Sequence, residues 1–273
     1  MSATEPTLTE VAEVAAGEAT LVLRLGGPLQ SWGDRSVFNR RDTRPEPTKS
    51  GVLGLLAAAA GRDREEPPGE LLELRMGVRV DQPGTLLRDY HTVSNYRGRP
   101  LPQAGVSAKG VQKTTSPAKY THITQRFYLQ DAVFLAALQG PAAFVRALAD
   151  ALRRPAFPLA LGRRSCPPTQ PLFLAVREAP LEEVLRTEPW QASQTAKHLY
   201  ARGRRATVDL SATLDDPDSE DSLNDVPQSF APRDRRFVSR RIRHTWVSLP
   251  TGLSHPDPDP AADGHDPFAL LGW

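Results

Sequence analysis

The chain has 273 residues, of which 39% are apolar and 24% are charged, and this composition predicts a globular protein with a sizeable core. The longest apolar run, at residues 52–60, is far shorter than the roughly 20 residues of a transmembrane helix, so we expect no membrane span. Cys166 is the single cysteine, which excludes an internal disulfide and a thiolate metal cage. The first basic residue is Arg24, so the positive region of a secretory signal is absent and we expect a cytoplasmic protein.

The formal net charge of +2 conceals a strong asymmetry along the chain. Residues 1–23, 209–225 and 251–273 contain no Lys or Arg and hold 15 of the 32 acidic residues, which leaves 17 acidic against 34 basic residues elsewhere. A body with a formal charge of +17 favours a polyanionic partner such as nucleic acid. The alternative is that these charges pair with one another in the folded protein.

The first part of the chain alternates strand and helix patterns after a leader, residues 1–18, whose composition predicts poor order. The patterns are a strand at Thr20–Leu25, a capped helix at Gly51–Ala60, strands at Arg75–Asp81, Leu86–Val93 and Ile123–Leu138, and an amphipathic helix at Ala142–Arg153. This order is typical of a split βαβ arrangement. Residues 19–168 are therefore predicted to form an α+β, ferredoxin-like domain of the kind found in RNA-recognition proteins.

The second part of the chain is predicted to be richer in strands. We expect a smaller β-rich subdomain at residues 169–250, interrupted by an acidic insert at 209–225, and a tail rich in Pro and Asp at 251–273. The strand pattern at Phe237–Leu249 carries arginines on both of its faces. At least one face is therefore expected to meet an anionic group.

One long basic segment lacks any periodicity, from Ser94 to Thr121, and a segment of this length inside a domain is either functional or disordered. Between residues 86 and 128, seven basic residues stand against one acidic residue, and five aromatic residues are interleaved with them. Basic side chains neutralise phosphates and aromatic rings stack on unpaired bases, so this composition suits single-stranded RNA. The candidate contacts from this segment are Lys109, Lys113 and Arg126.

Two loops have sequences suited to binding a phosphate. Residues 48–51 precede a helix, whose first backbone N–H groups and Lys49 would attract an anion. Residues 162–166 place Arg163 and Arg164 directly after a glycine. Either loop could instead serve only as a helix cap or a turn.

The same sequence also contains candidate catalytic residues. Tyr90 and His91, beside Arg88, could supply a base and a cation for metal-free RNA cleavage, or could simply pack at a strand end. Cys166 could act as a nucleophile activated by neighbouring arginines, but two prolines stiffen its loop. No two of the six histidines lie within five positions of each other, so we expect no metal site.

Five motifs, taken in chain order, resemble the Cas-five family of CRISPR-associated proteins, in the form found in type I-E Cascade complexes. They are residues 23–33 (LRLGGPLQSWG), 47–55 (PTKSGVLGL), 89–93 (DYHTV), 162–167 (GRRSCP) and 265–267 (HDP). The resemblance extends from near residue 20 to the C-terminus.

The resemblance implies a subunit that holds the 5′ handle of the CRISPR RNA, contacts the Cas-seven backbone subunit and the large subunit, and meets target DNA only indirectly through the complex. It also implies a β-hairpin thumb at about residues 88–127, inserted in the ferredoxin-like domain. The residues that it places near the RNA are Gln30, Trp32, Thr48, Lys49, Ser50, Tyr90, His91, Arg163, Arg164, Ser165 and Cys166.

Type I-E complexes divide binding and cleavage between subunits, so the resemblance implies an RNA-binding protein without catalytic activity, metal or cofactor. Two other functions stay open from the sequence. One is a metal-independent endoribonuclease that processes the CRISPR repeat RNA. The other is a protein-only assembly adaptor whose basic body pairs with an acidic partner.

Overall fold

The computed structural model describes residues 17–33, 39–95, 120–203, 206–231 and 233–252. The strands are β1 (Glu18–Gly26), β2 (Leu29–Gln30), β3 (Arg40–Arg41), β4 (Arg75–Gln82), β5 (Thr85–Asn95), β6 (Tyr120–Gln130), β7 (Val133–Pro141), β8 (Phe173–Arg177), β9 (Thr207–Asp215), β10 (Ser222–Ser229) and β11 (Arg236–Pro250). The helices are α1 (Lys49–Ala59), α2 (Ala142–Arg153), α3 (Leu181–Thr187) and α4 (Gln194–Ala201), with a 3-10 turn at Gly69–Glu73. The predicted leader up to residue 16 and the predicted tail from residue 253 lie outside the described residues.

Seven strands form one sheet in the order β10-β11-β9-β4-β7-β1-β8, and every neighbouring pair is antiparallel. Its centre is the pair β1 and β7, joined from Glu18 opposite Pro141 to Gly26 opposite Val133. The α+β class predicted from the sequence is confirmed. No helix in the described ranges is long and apolar enough to span a bilayer.

Both faces of the sheet are covered, because alternate residues of β1 are apolar on both sides. Leu21, Leu23 and Leu25 pack in the larger core cluster, with α1 and α2. Val22 points to the other face and packs in a second cluster with α3. A third cluster, beneath α4, contains residues of β9 and β11.

The second half of the chain extends this same sheet. β8 pairs with β1, and β9 pairs with β4, so the sheet has no break at the predicted boundary between residues 168 and 169. The segment 209–225, predicted to be an acidic insert, lies in β9, β10 and the turn between them. The insert prediction fails because Leu210, Ala212 and Leu214 alternate with polar residues and are buried as core positions.

A long hairpin rises from a second, smaller sheet. Its arms, β5 and β6, pair from Thr85 opposite Gln130 to Asn95 opposite Tyr120, and β2 and β3 pair with β6 at its base. The arms begin three residues outside the predicted thumb limits of 88 and 127, and residues 96–119, with Lys109 and Lys113, lie outside the described residues.

The strand predicted at Ile123–Leu138 is in fact two strands, β6 and β7. Asp131 separates them with a φ of 56°, a left-handed conformation that aspartate adopts more easily than most residues. A period-two pattern continues through such a turn, so the sequence alone did not reveal the break.

A buried ion pair fixes the segment after α3 to the sheet. In β4, Arg79 donates to both carboxylate oxygens of Asp81 at 2.7 and 2.9 Å. Arg79 also donates to the carbonyls of Leu185 and Glu188 at 2.6 and 2.8 Å, which satisfies backbone groups at the end of α3. The segment between α3 and α4 is thereby held against the strand.

Candidate nucleic-acid interface

The predicted phosphate loop at the start of α1 is occupied by the protein's own carboxylate. Thr48 caps the helix by accepting a hydrogen bond from the Gly51 N–H at 3.2 Å. The Lys49 N–H donates to Asp225 at 2.7 Å, and the Lys49 ammonium donates to Asp215 at 2.8 Å. The helix start attracts an anion as predicted, but the anion comes from β9 and β10.

Arg240 of β11 completes this cluster from the other side. It donates to both oxygens of Asp225, at 2.7 and 3.0 Å, and to Asp215. Burial would raise the pKa of Asp215, but Arg240 and Lys49 outweigh it, so the pKa lies below its usual value. Thr48, Lys49 and Ser50 are all nearly inaccessible, so their side chains support the fold rather than face a ligand.

The motif around Gln30 and Trp32 is also internal. The Gln30 amide donates to the carbonyls of Leu25 and Ala132 at 3.1 and 2.7 Å, and its oxygen accepts from the Trp32 indole at 3.1 Å. Both residues are fully buried, and the Trp32 ring lies where a Cβ on Gly51 would stand. These side chains join β1, β2 and α1, so the structure gives them no direct access to RNA.

The loop at residues 162–166 divides into inner and outer side chains. Arg163 donates to the carbonyls of Phe127, Arg41 and Asp42 at 3.1, 2.7 and 3.2 Å and lies 4.8 Å from the ring centre of Tyr128. Arg164 and Ser165 are exposed. Arg163 therefore attaches the loop to the base of the hairpin, while its neighbours face solvent.

Cys166 closes this loop from inside. It is fully buried, its N–H donates to the Arg163 carbonyl at 2.9 Å, and its carbonyl accepts from Leu161 at 2.7 Å. Burial raises the pKa of the Cys166 thiol above its usual value, despite the opposing effect of Ser165 and Arg163. The thiol is thus neutral at neutral pH, and the nucleophile alternative has no geometric support.

The two hairpin residues from the DYHTV motif lie on opposite faces. Tyr90 is 61% exposed and shares a face with Phe127, whereas His91 lies on the face that carries Arg126. The His91 ring is 3.9 Å from Asp89 on the same strand. A single phosphate group could not reach both Tyr90 and His91 from one side.

Three arginines meet on one side of the hairpin base, and a fourth is exposed in the adjoining loop. Arg41 of β3 is in register with Arg126 of β6, so the two side chains share a face, and Arg163 stacks on Tyr128 two residues further along β6. Arg164 follows Arg163 and is exposed. We call Arg41, Arg126, Arg163 and Arg164 the arginine surface.

The arginine surface has little acidic compensation. Asp89 is paired with Arg126 in the hairpin. Among the described positions of β5 and β6, it is the one carboxylate on the face that carries Arg126. The Nε of Arg126 is buried and has no hydrogen-bond partner within the described ranges. Such a surface attracts phosphate groups.

Sequence reasoning missed Arg41 and the acidic partners of Lys49. The arginines on both faces of the Phe237–Leu249 pattern were the available signal for those partners, because Arg240 meets Asp215 and Asp225. Among the residues with described coordinates, no three His, Cys, Asp or Glu side chains are grouped so that they could hold a metal ion.

Comparison with known proteins places the chain in a family. The family described as CRISPR-associated protein (Cas_Cas5) matches residues 20–243. The chain is 36% identical over 189 residues to the CRISPR system Cascade subunit CasD of Escherichia coli (strain K12), which covers 62% of this chain and 77% of that protein. This chain belongs to the Cas5 family of CRISPR-associated proteins, so the family resemblance is confirmed, and the match covers the first four of the five motifs.

Solved structures agree with this assignment. A chain of a CRISPR RNA-guided surveillance complex superposes with a TM-score of 0.65 at 37% identity, covering 85% of this chain and 91% of that one. A crystal structure of a Cas protein superposes with a TM-score of 0.60 at 37% identity, covering 87% of this chain and 100% of that one. The described fold is therefore that of solved Cas proteins.

Proposed function

We propose that this chain is the Cas5 subunit of a type I-E Cascade complex and holds the 5′ handle of the CRISPR RNA on the arginine surface. The observation that carries the proposal is that three arginines meet at the hairpin base beside the exposed Arg164, with Asp89 as the one described carboxylate on this face of β5 and β6. The relationship to a Cascade subunit and to a surveillance-complex chain supports it. Guanidinium groups can bind phosphates through paired hydrogen bonds and stack on splayed bases.

A ferredoxin-like core would present this surface. The strand order β4-β7-β1-β8, with α1 following β1 and α2 following β7, supports that interpretation because all neighbouring strands are antiparallel and both helices pack in the same core cluster. The hairpin formed by β5 and β6 then corresponds to the proposed thumb, inserted between β4 and β7.

The hairpin is also the proposed contact with the Cas-seven backbone subunit and the large subunit. Leu86 and Tyr90 are 65% and 61% exposed on the face of its first arm opposite to Arg126, an unusual concentration of large apolar side chains in solvent. A neighbouring subunit would cover them. This arrangement leaves the opposite face, with Arg126, available to RNA.

The proposed role is binding without cleavage. General acid–base cleavage needs a base near the 2′-hydroxyl and a cation at the same phosphate. Tyr90 and His91 project from opposite faces of the hairpin, and the Cys166 thiol is buried. These placements favour a scaffold over the endoribonuclease alternative.

The test measures RNA retention in the assembled complex across a salt series. Tagged full-length chain is co-expressed with its partner subunits and a CRISPR RNA, either as wild type or as Arg126→Gln with Arg164→Gln. We expect the double variant to lower the slope of log affinity against log salt by about 1.4, since each lost phosphate contact on a single strand removes about 0.7.

The matched control is Arg146→Gln with Arg186→Gln. It removes two exposed arginines: Arg146 of α2, which pairs with Glu178, and Arg186 of α3, which pairs with Glu182. Equal slopes for the two double variants would contradict the proposal. Assembly of nuclease-treated subunits without RNA would favour the adaptor alternative. Metal-free cuts in the repeat RNA that His91→Ala abolishes would establish the endoribonuclease alternative.

A further inference from the structure

A cavity of approximately 410 Å³ opens beside β1 and β8, in front of the first turn of α4. Arg24 lines it from β1 and shares a face of the strand with Val22, which packs in the cluster with α3. Tyr128, at the arginine surface, packs instead in the cluster with α1 and α2. Arg24 therefore projects from the face of the main sheet opposite to the proposed handle site, and we call the cavity that it lines the Arg24 pocket.

Arg24 is only partly satisfied by the protein. Its one hydrogen bond from the guanidinium runs from Nε to the Gln191 carbonyl at 3.3 Å, and its two terminal amino groups have no partner within the described ranges. Burial lowers the pKa of Arg24, with an opposing effect of Asp81, but an arginine remains charged at neutral pH. A half-buried guanidinium with open donors can bind an anion.

Asp81, the acidic group that acts electrostatically on Arg24, is already engaged by other donors. Asp81 accepts hydrogen bonds from two guanidinium nitrogens of Arg79. It also accepts one from the Gln191 N–H at 2.5 Å. The terminal amino groups of Arg24 therefore remain available to a ligand in the pocket.

A second cation faces the same space. Lys197 lines the pocket from α4, and its ammonium lies 5.7 Å from the Trp190 ring centre without an ion pair among the described residues. The described lining contains no Asp or Glu. Gln170 and Gln194 also line it, and their side-chain amides make no hydrogen bond to the described protein.

Gly26 gives the guanidinium its position. A Cβ on Gly26 would collide with a terminal nitrogen of Arg24, so the bare α-carbon leaves room for the guanidinium to lie over the strand. This provides a way to displace the cation without removing any charge.

We propose that the Arg24 pocket binds the phosphate of a single nucleotide unit, with Arg24 and Lys197 on the phosphate and the amides of Gln170 and Gln194 on the base. The volume falls within the range of about 300–1,000 Å³ that is usual for small-molecule sites. Side-chain amides both donate and accept hydrogen bonds, which suits the edge of a base. A ligand that consists only of a carboxylate would leave these amides without a partner. The nucleotide comes either from an RNA chain or from the free pool.

The first test uses the full chain and adenosine 5′-monophosphate as the probe, with binding followed by calorimetry. We expect saturable binding that adenosine does not match, and a loss of about tenfold in affinity for Arg24→Gln, for Lys197→Gln and for the charge-preserving Gly26→Ala. Arg146→Gln, an exposed arginine on α2, is the control and is expected to bind as wild type. Circular dichroism confirms that each variant is folded.

The second test separates the two sources of the nucleotide. If the occupant belongs to an RNA chain, Arg24→Gln with Lys197→Gln also weakens binding of a short single-stranded RNA, and the monophosphate competes with it. If the occupant is a free nucleotide, the RNA affinity of this double variant is unchanged while monophosphate binding is lost. Both results support the pocket.

Absence of saturable monophosphate binding at about 10 mM would overturn the proposal. Equal binding of monophosphate by wild type and the double variant would do the same, as would binding of an acidic peptide in its place. None of these outcomes bears on the proposed handle site, because its test alters Arg126 and Arg164 on the other face. Each proposal can therefore fail without the other.

Discussion

Gly162 decides where the loop that carries two predicted RNA contacts can lie. It has a φ of 84°, and a Cβ there would collide with the Ser31 carbonyl oxygen. The close approach lets the Ser31 N–H donate to the Leu161 carbonyl at 3.1 Å, which brings Arg163 to the hairpin. A glycine is needed both for the left-handed backbone and for this contact.

We predict that Gly162→Ala destabilises the protein by about 3 kcal/mol or more, measured by urea denaturation, because it adds a backbone collision to the left-handed strain. Gly252→Ala is the matched control, since Gly252 has a φ of 64° but nothing within 4 Å of an added Cβ. It should cost only about 1–2 kcal/mol. Equal losses at the two sites would show that the Ser31 contact does not matter.

The buried cluster around Asp215 predicts how stability depends on pH. The pKa of Asp215 is lowered in the folded protein, so its stabilisation is fully present above the unfolded value of about 4 and is lost as the pH falls through the folded value. Asp215→Asn should cost about 3 kcal/mol at neutral pH, because it leaves Lys49 and Arg240 without part of their compensation.

Urea denaturation at a series of pH values checks this prediction. The Asp215→Asn protein should lose less additional stability below about pH 4 than wild type does. Asp209→Asn, an exposed position on the same strand, should change stability by less than about 0.5 kcal/mol. If wild type and Asp215→Asn lose the same stability at acid pH, Asp215 is excluded as the source of that loss.

At the level of the loop and hairpin, neighbouring arginines are expected to have separate roles. Arg163 holds the hairpin through three carbonyls, whereas Arg164 is exposed. Arg163→Ala should cost about 2 kcal/mol of stability and reduce hydrogen-exchange protection in β6. Arg164→Ala should leave stability unchanged and weaken RNA retention. The reverse assignment in paired denaturation and retention measurements would contradict this division.

Elements with a clear apolar period were predictable from the sequence. The helix predicted at 142–153 and the strand predicted at 75–81 correspond to α2 and β4 within one residue at each end. The turn at Asp131 was missed because a polar residue in a turn does not interrupt the alternation of apolar residues. The strands of the acidic segment were missed because polar residues on a solvated face do not interrupt it either. The arginine surface was partly visible through Arg126, Arg163 and Arg164.

The burial of Gln30, Trp32 and Lys49 could not be read from their types. Lys49 becomes a core residue only because β9 and β10 return beside α1 and bring carboxylates to it, 166 and 176 positions later in the chain. Local sequence contains no information about such a return. A motif shared with a family therefore identified the fold correctly without identifying which side chains face a ligand.

For the whole molecule, the continuous sheet predicts one cooperative unit. Removing residues 169–273 would leave β1 and β4 without their partners β8 and β9, and would take away the carbonyls that Arg79 caps. We predict that the fragment 1–168 does not fold, and that the full chain unfolds in one transition by circular dichroism and tryptophan fluorescence. A folded fragment, or two separated transitions, would instead support independent subdomains.

In the folded protein, the excess of basic side chains outside the acidic segments meets two kinds of partner. Part of it is internal, since Arg240 and Arg243 pair with Asp215, Asp225 and Asp216. The remainder is external, at the arginine surface and in the Arg24 pocket. The counts of charged residues along the sequence predicted anionic partners. They could not show which of these partners are carboxylates of the protein and which are ligands.

The most direct test of the account is ultraviolet cross-linking of the assembled complex, with the cross-linked peptides identified by mass spectrometry. We predict that nucleotides of the intact 5′ handle cross-link to peptides covering residues 120–130 and 162–166, beside Tyr128 and Arg164. Cross-links from the handle to other surfaces alone, such as the 72% exposed Trp246 of β11, would contradict the account.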